Sequence, residues 1–530
     1  MGPSAPAVIP ATPVSESDLA AFPLRAGAVD VGSNAIRLLA AEFTAPGRWQ
    51  PIVVERSGVR LGHSVFLTGR LTGGAMDRAV AALAGFRATL ARLEVQHVRA
   101  VATSAVREAR NGEKFVSRVR REAGLELELI SGSEEARLIH RAVAERLRLG
   151  ADPWLLVDLG GGSVEVSLAD DSGILWSESH TMGSVRLLEE LAGADDEPGR
   201  FRRLLAEYVG VLQIPGTARG RTYPVVATGG NIESLARLAG EKGSGAGTPA
   251  RLPVERLREV IERLSRLSFR QRVEELELRE DRADVILPAA VVYERIAHLA
   301  GADEILVPGV GVREGVALDL VASLTSRPGH AERRERDLMA AAVSLGQRYR
   351  FDEQHGRQVA HMAESLFDQT AALHGLGDSD RSLLVAAALL HDVGSFVSYK
   401  GHHRHSQYIL SHSELPGFSA QDMHLLGAVA RYHRKGEPSA QHPEYARLSP
   451  AEQVRVARLS AIVRLADALD REHRAQVRGV RAELKEGAVR LHLDGSGDLL
   501  LERWALQKKR GLFERVFGLR VTIGNGGKDP

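Results

Sequence analysis

The sequence predicts two α/β halves in tandem, then an all-α region and a small α+β piece at the C-terminus. Two observations carry this. The first is a pattern used twice: Ala28-Val29-Asp30-Val31-Gly32-Ser33-Asn34, and Leu156-Val157-Asp158-Leu159-Gly160-Gly161-Gly162-Ser163. Each copy reads as a buried strand that ends in an aspartate, then a tight glycine turn with a small hydroxyl residue. The second is a change of period. Strand and helix patterns alternate as far as Ser326–Glu335, and helix periodicity takes over from about 336 to 476.

From the N-terminus, Ala28–Val31, Arg37–Ala41 and Ile52–Val54 read as an antiparallel opening. Met76–Leu93 reads as a helix, Val98–Thr103 and Leu125–Ile130 as strands, and Glu134–Leu147 as a helix. The pattern then restarts with strands at Leu155–Leu159, Val164–Ala169 and Ile174–Ser179. Val225–Thr228 runs into Gly229-Gly230-Asn231 and a helix. Gly240–Pro249 is a Gly/Ser-rich loop, expected to be mobile. Glu304–Val307 meets a Pro-Gly turn before a last helix. Ser326–Glu335 reads as a hinge. After the helical region, Val477–Leu484, Val489–Leu493 and Leu499–Glu502 read as strands. The domains expected are a disordered tail (1–24), two α/β domains (25–150 and 151–328), a helical domain (329–476) and the C-terminal piece (477–530).

A chain of 530 residues is too long for one core. Hydrophobic content of 44% and charged content of 26% fit a globular protein. A formal net charge of +1 gives no global field toward nucleic acid or membrane, so a polyanionic substrate needs local basic groups. Cysteine is absent, which excludes disulfides, thiolate metal sites and cysteine nucleophiles. No apolar run is long enough to span a bilayer. The Pro/Ala/Ser-rich start lacks the basic region of a signal peptide, so the expected compartment is the cytoplasm.

Either glycine turn alone reads as an ordinary β-turn. Two of them, each after a buried strand, point to phosphate binding. Backbone N–H groups of such turns face anions, and glycine lets a phosphate approach closely. Asp30 and Asp158, at the strand ends, suit a hard cation such as Mg²⁺. Ile130-Ser131-Gly132-Ser133-Glu134-Glu135 is a strand end, turn and helix start, where Glu134 takes a capping-box position relative to Ser131. Glu135 falls on the line of Ile139, Ala142 and Val143, the inward face, and is a candidate base for water. Arg107 follows another strand end and is either a surface residue or a phosphate contact. Glu165 either joins Asp158 around a metal or forms a surface pair.

Four ordered strings resemble the exopolyphosphatase / guanosine pentaphosphate phosphohydrolase (Ppx/GppA) family over the first 320 residues or so. They are Val29-Asp30-Val31-Gly32-Ser33-Asn34, Ser131-Gly132-Ser133-Glu134-Glu135-Ala136-Arg137, Val157-Asp158-Leu159-Gly160-Gly161-Gly162-Ser163-Val164-Glu165 and Val312-Arg313-Glu314-Gly315. The resemblance implies the duplicated actin/Hsp70/sugar-kinase (ribonuclease H-like) fold. It implies removal of terminal phosphate from polyphosphate, or conversion of pppGpp to ppGpp, with Mg²⁺ or Mn²⁺. On its terms Glu135 is the base, Asp158 and Glu165 (with Asp30) hold the metal, and Arg107 contacts phosphate. Gly32, Ser33, Asn34 and Gly160, Gly161, Gly162 and Ser163 form phosphate loops. Thr228, Gly229, Gly230 and Asn231 match a nucleotide loop of kinase relatives.

The resemblance extends into the helical region, which is similar to HD-domain phosphohydrolases. The order His355, His391-Asp392, His405, His433, Asp467 is that of an HD metal site. It implies either a second metal site or residues kept for packing. His402, His403, Arg404, Arg431, Arg434 and Lys435 would line a polyphosphate groove or form a solvated face. The function expected is therefore a homodimeric exopolyphosphatase. A pppGpp phosphohydrolase, a kinase or ATPase, and a non-enzymatic polyphosphate or alarmone sensor are the alternatives. No nucleic acid or membrane partner is expected.

Overall fold

The computed structural model describes residues 22–524, apart from 148, 172, 192–199, 216–219, 242–247, 326–329 and 435. The expected N-terminal tail, most of the Gly/Ser-rich loop, the start of the hinge and Lys435 lie largely or wholly outside the described residues. Among the described residues no helix is long and apolar enough to cross a membrane.

In the first half, β1 (Leu24–Val31), β2 (Ile36–Ala45) and β3 (Arg48–Ser57) form the antiparallel opening. β4 (His97–Ala102) and β5 (Leu127–Leu129) continue the sheet in parallel on the other side of β1. The order is β3-β2-β1-β4-β5. The second half repeats it. β6 (Trp154–Leu159), β7 (Val164–Asp170) and β8 (Gly173–His180) are antiparallel. β9 (Val225–Thr228) and β11 (Glu304–Val307) extend the sheet in parallel, and β10 (Ala250–Pro253) closes the edge antiparallel to β11. This repeated order is the duplicated actin/Hsp70/sugar-kinase-like arrangement. β1 and β6 are central and covered on both faces, which is why both read as unbroken apolar runs.

The two halves share a core. The helix Val312–Leu324 places Val312, Val316 and Leu318 against Leu24, Ala26 and Leu39 of the first sheet. Its Asp319 accepts from Arg99 at 2.8 Å and from Arg137 at 3.0 Å. The helical region docks on the same place: Glu134 accepts from the backbone N–H of Gly417 at 3.0 Å, and Glu414 from that of Ser133 at 3.1 Å.

The helical region and the C-terminal sheet share one continuous core. That sheet is β12 (Val477–Lys485), β13 (Ala488–Gly495) and β14 (Arg520–Ile523), with β14 parallel to β13. Two expectations fail here. Leu499–Glu502 is not a strand: Leu500–Lys509 is a helix that buries Glu502, Ala505 and Leu506 on one face while Leu500 and Leu501 are exposed. The spacing of 502, 505 and 506 is helical, and the short apolar run hid it. The described part of the expected hinge is likewise helix, because a helix runs from His330 to Arg348.

Candidate active site

Both halves present the same hairpin. In each, the aspartate ends the first strand, glycine makes the turn, and the next strand returns. Gly32 N–H donates to Ala35 O at 3.2 Å, and Gly160 N–H to Ser163 O at 3.0 Å. The two turns abut. A Cβ placed on Gly161 would lie 2.9 Å from Ser33 Cβ, so only glycine lets them approach this closely. Ser33 and Ser104 hydroxyls are 2.9 Å apart beside them. The third turn brings Gly229 in with φ of 95°, in the left-handed region. Together these turns line a cavity of about 70 Å³ that also includes Glu135, Asp158, Asn231 and Arg282.

The residue facing each aspartate differs. Asp30 pairs in register with Arg37, and Asp158 with Glu165. Arg37 donates to Asp30 at 3.1 Å. Asp158 accepts from the Thr228 hydroxyl at 2.5 Å, and Glu165 from the Ser179 hydroxyl at 2.8 Å.

Glu135 completes the site from the first turn of the Gly132–Arg146 helix. Ser131 caps that helix by accepting from Glu134 N–H at 3.2 Å. The Glu134 carboxylate does not return the cap. It turns to Arg137, which donates two hydrogen bonds at 2.7 and 2.8 Å. Glu135, on the inward face, is free of that network.

Ligand oxygens of Glu135, Asp158 and Glu165 lie within 4.8 Å of one another, and all three residues are buried. Burial, then the neighbouring Glu165, holds the Glu135 carboxyl well above its ordinary range. Burial, then Asp158, pushes Glu165 up to about 7. Burial also raises Asp158, against the Thr228 hydrogen bond. One buried oxygen of Glu135 and one of Glu165 have no hydrogen-bond partner. Three converging carboxylates with two unsatisfied oxygens are a hard-donor set that fits Mg²⁺ or Mn²⁺.

Asp30 is the exception among the expected metal ligands. It lies close enough for its charge to raise Glu135 and Asp158, but it is tied to Arg37. Arg107 sits 4.0 Å from Glu135 and donates to Ile130 O at 2.6 Å. It also lines a second cavity of about 510 Å³, between β8 and the His330–Arg348 helix, which shares Ser163 with the first.

Sequence reasoning missed Arg37, Arg282 and Arg186. Arg282 bonds Asn231 in the cavity wall. Arg186 donates to Gly162 O at 2.8 Å and braces the second glycine turn. For Arg37 a signal existed: it follows Asp30 at the spacing by which Glu165 follows Asp158.

In the helical region His355, His391, Asp392, His433 and Asp467 do converge. His405 does not join them. His402 takes its place, with Nε2 at 2.9 Å from Asp392. The cause is the helix face: His402, Ser406, Ile409 and Leu410 point inward, and His405 stands beside that stripe. His402 is therefore no groove residue. Arg431 donates to Gln407 at 2.5 Å and reaches Glu444, and Arg434 stacks on Tyr399. None of the described members of the expected groove (His402, His403, Arg404, Arg431 and Arg434) lines the 510 Å³ cavity.

Comparison with known proteins agrees with this geometry. The Ppx/GppA phosphatase family model matches residues 42–324, and the model of Ppx/GppA phosphatase domain III matches 338–510. A guanosine-5'-triphosphate,3'-diphosphate pyrophosphatase of Vibrio vulnificus is 29% identical over 448 residues, 82% of this chain and 84% of that protein. Exopolyphosphatase 1 of Mycobacterium leprae is 32% identical over 302 residues, 56% of this chain and 89% of that protein. The crystal structure of an exopolyphosphatase from Cytophaga hutchinsonii aligns with a TM-score of 0.53 and 28% identity, covering 56% of this chain and 98% of that one. With paired glycine turns, a buried carboxylate cluster and both family models in register, the chain belongs to the Ppx/GppA phosphatase family.

Proposed function

We propose that this chain is an exopolyphosphatase that hydrolyses the terminal phosphoanhydride bond of inorganic polyphosphate. The observation that carries the reading is Glu135, buried beside two abutting glycine turns with an unpartnered carboxylate oxygen. Burial and the neighbouring Glu165 raise the proton affinity of its carboxylate, which suits it to take a proton from water.

The terminal phosphate sits against the turns of Gly32–Asn34 and Gly160–Ser163, where the N–H groups not used in the turns' own hydrogen bonds serve the phosphoryl oxygens. Glu135 takes a proton from water as the water oxygen attacks the terminal phosphorus; the anhydride P–O bond to the next phosphate breaks, and the shortened polyphosphate leaves as an anion beside orthophosphate. Arg107, adjacent to Glu135, offsets charge on the phosphoryl group. Asp158 and Glu165 would hold the Mg²⁺ or Mn²⁺, which when bound neutralises phosphate charge and leaves Glu135 for the water. The rest of the polyphosphate extends into the 510 Å³ cavity, past Arg107 and Arg348. The reading includes a cytoplasmic homodimer, which sedimentation of the full chain checks.

pppGpp hydrolysis is the second reading. The pyrophosphatase relative supports it, because its match covers most of both chains. Phosphate release from long polyphosphate, pppGpp and ATP separates the two. Glu135→Gln is expected to lower the release rate by roughly 10²–10⁴-fold, the range for a general base. Release that survives this change overturns the assigned base. Transfer of phosphate from ATP to an acceptor overturns the hydrolase reading.

A further inference from the structure

The three glycine carbonyls of the second turn are all tied to one segment. Gly160 O accepts from Ser184 N–H at 3.0 Å, and Gly161 O from Val185 and Arg186 N–H at 2.9 and 3.0 Å. Gly162 O accepts from Gly183 N–H at 3.2 Å and from Arg186 Nε at 2.8 Å. The donors are consecutive residues at the start of the Ser184–Glu190 helix. Gly183 permits the approach, because a Cβ there would lie 2.3 Å from the Gly162 backbone.

A planar trans peptide sends its C=O and its N–H in opposite directions. Tying these three oxygens back therefore turns the N–H groups of Gly161, Gly162 and Ser163 the other way. Among the described residues none of the three meets a backbone acceptor. Gly160, Gly161 and Ser163 line the 70 Å³ cavity, so the turn offers an anion donors rather than lone pairs. Any one of these peptides reversed would present a carbonyl oxygen to the phosphate and repel it.

The ties are not equal. Backbone N–H groups hold Gly160 and Gly161. On Gly162 the shorter bond comes from a guanidinium and is charge-assisted. The peptide it holds is the one that carries the Ser163 N–H. The first turn is held by backbone donors: Ser33 O accepts from Gly62 N–H at 2.8 Å, and Asn34 O from Arg60 N–H at 3.1 Å.

The rest of the buried Arg186 guanidinium faces the first half. Its centre lies 4.1 Å from the Phe66 ring centroid, and it donates to Glu108 at 2.5 Å. Glu108 follows Arg107 directly. Phe66 also packs on the turn itself, since a Cβ on Gly162 would lie 2.5 Å from its ring.

We infer that Arg186 is a positioning residue for phosphoryl transfer, acting through the Gly162 carbonyl. It makes the aim of the Ser163 N–H depend on Phe66 and Glu108 of the other half, so the second phosphate turn is fully formed only when the two halves are seated on each other. This rests on the phosphatase reading, in which that turn receives the terminal phosphate.

Steady-state phosphate release from polyphosphate by the full chain at saturating Mg²⁺ tests it. Arg186→Met is expected to lower kcat by roughly 10–100-fold and to leave KM within about threefold, because a preorganised donor acts on charge that develops in the transition state. Arg186→Lys keeps the charge but not the planar fork, and should stay at least about fivefold below the unmodified chain. Glu108→Gln should lower kcat by about threefold and add nothing to Arg186→Met, because both act through one guanidinium. Arg186→Lys takes the place of Arg186→Met in that cycle if the latter does not fold. An unchanged kcat, a loss confined to KM, full recovery in Arg186→Lys, or additive effects of Arg186 and Glu108 overturns the inference. The unmodified chain and Glu135→Gln, assayed alongside, judge the phosphatase reading separately. Release that Glu135→Gln removes and Arg186→Met leaves intact overturns this inference alone.

Discussion

The two halves carry the same hairpin with opposite charge at one position. In the first, Arg37 stands across from Asp30. In the second, Glu165 stands across from Asp158. The backbones match: each has a strand-end aspartate, a glycine turn and a returning strand. The consequences differ. Asp30 forms an ion pair with Arg37, while Asp158 adds to a cluster of negative charge that burial makes worse. Duplication of a fold therefore does not duplicate a site. The residue facing the aspartate makes one hairpin an anion-facing wall and the other a cation-seeking one.

The largest effects should separate along that line. Glu165→Gln is expected to raise the Mg²⁺ concentration for half-maximal phosphate release by roughly 10–100-fold, the range for disturbed metal support. Arg37→Gln should instead raise KM for polyphosphate and leave the Mg²⁺ dependence within about twofold. Phosphate-release assays over a grid of Mg²⁺ and substrate decide it. An equal shift in Mg²⁺ requirement for both variants breaks the comparison.

The charge cluster also predicts a pH dependence of stability. Glu165 titrates near 4.5 in an unfolded chain and at about 7 in the folded one. Between those values the folded state holds the proton and the unfolded state has lost it. Stability is therefore fully present below pH 4.5 and declines as pH rises toward 7. The decline is on the order of 3 kcal/mol for this group alone. Denaturant unfolding of the chelated chain between pH 4.5 and pH 7 measures it. Saturating Mg²⁺ should flatten the slope, because the cation stabilises the ionised carboxylates. Burial raises Glu135 and Asp158 as well, so Glu165→Gln should reduce the slope rather than abolish it, and a slope unchanged by Glu165→Gln would place its source elsewhere.

Much of the site was legible because it is local. The two aspartate–glycine strings and the helical line from Glu135 through Ile139 and Val143 lie within single elements. Pairing across the hairpin was harder to read. Arg37 meets Asp30 only once register is fixed, although its spacing repeats that of Asp158 and Glu165. His402 and His405 are less than one helical turn apart, so ligand order alone could not choose between them. The choice came from packing: Ser406 Oγ accepts from Gly394 N–H at 3.0 Å and seats the His402 face on the His391-Asp392 turn. Lys509, which bonds Asp467, and Asp470, which bonds His355, were invisible for a related reason, since each reaches its partner through tertiary contact between separate elements.

The smallest effect sharpens the comparison most. Thr228 is to Asp158 what Arg37 is to Asp30: each supplies the donor that the aspartate accepts. The first is a buried neutral hydroxyl. The second is a guanidinium whose side chain is 30% exposed, so solvent screens the pair. Double-mutant cycles on unfolding free energy, Asp30→Asn with Arg37→Met and Asp158→Asn with Thr228→Val, give the two coupling energies. Hydrogen bonds to a charged group contribute about 1.5–3 kcal/mol when buried, and screening should bring Asp30–Arg37 to about 1 kcal/mol or less. Raising salt from about 0.1 M to 1 M shortens the screening length from about 10 Å to 3 Å and should reduce the Asp30–Arg37 coupling further. Asp158–Thr228 has no cation to screen and should hold its value. If both couplings fall together, the hairpins differ in residue identity but not in electrostatic character, and the division of labour between them fails.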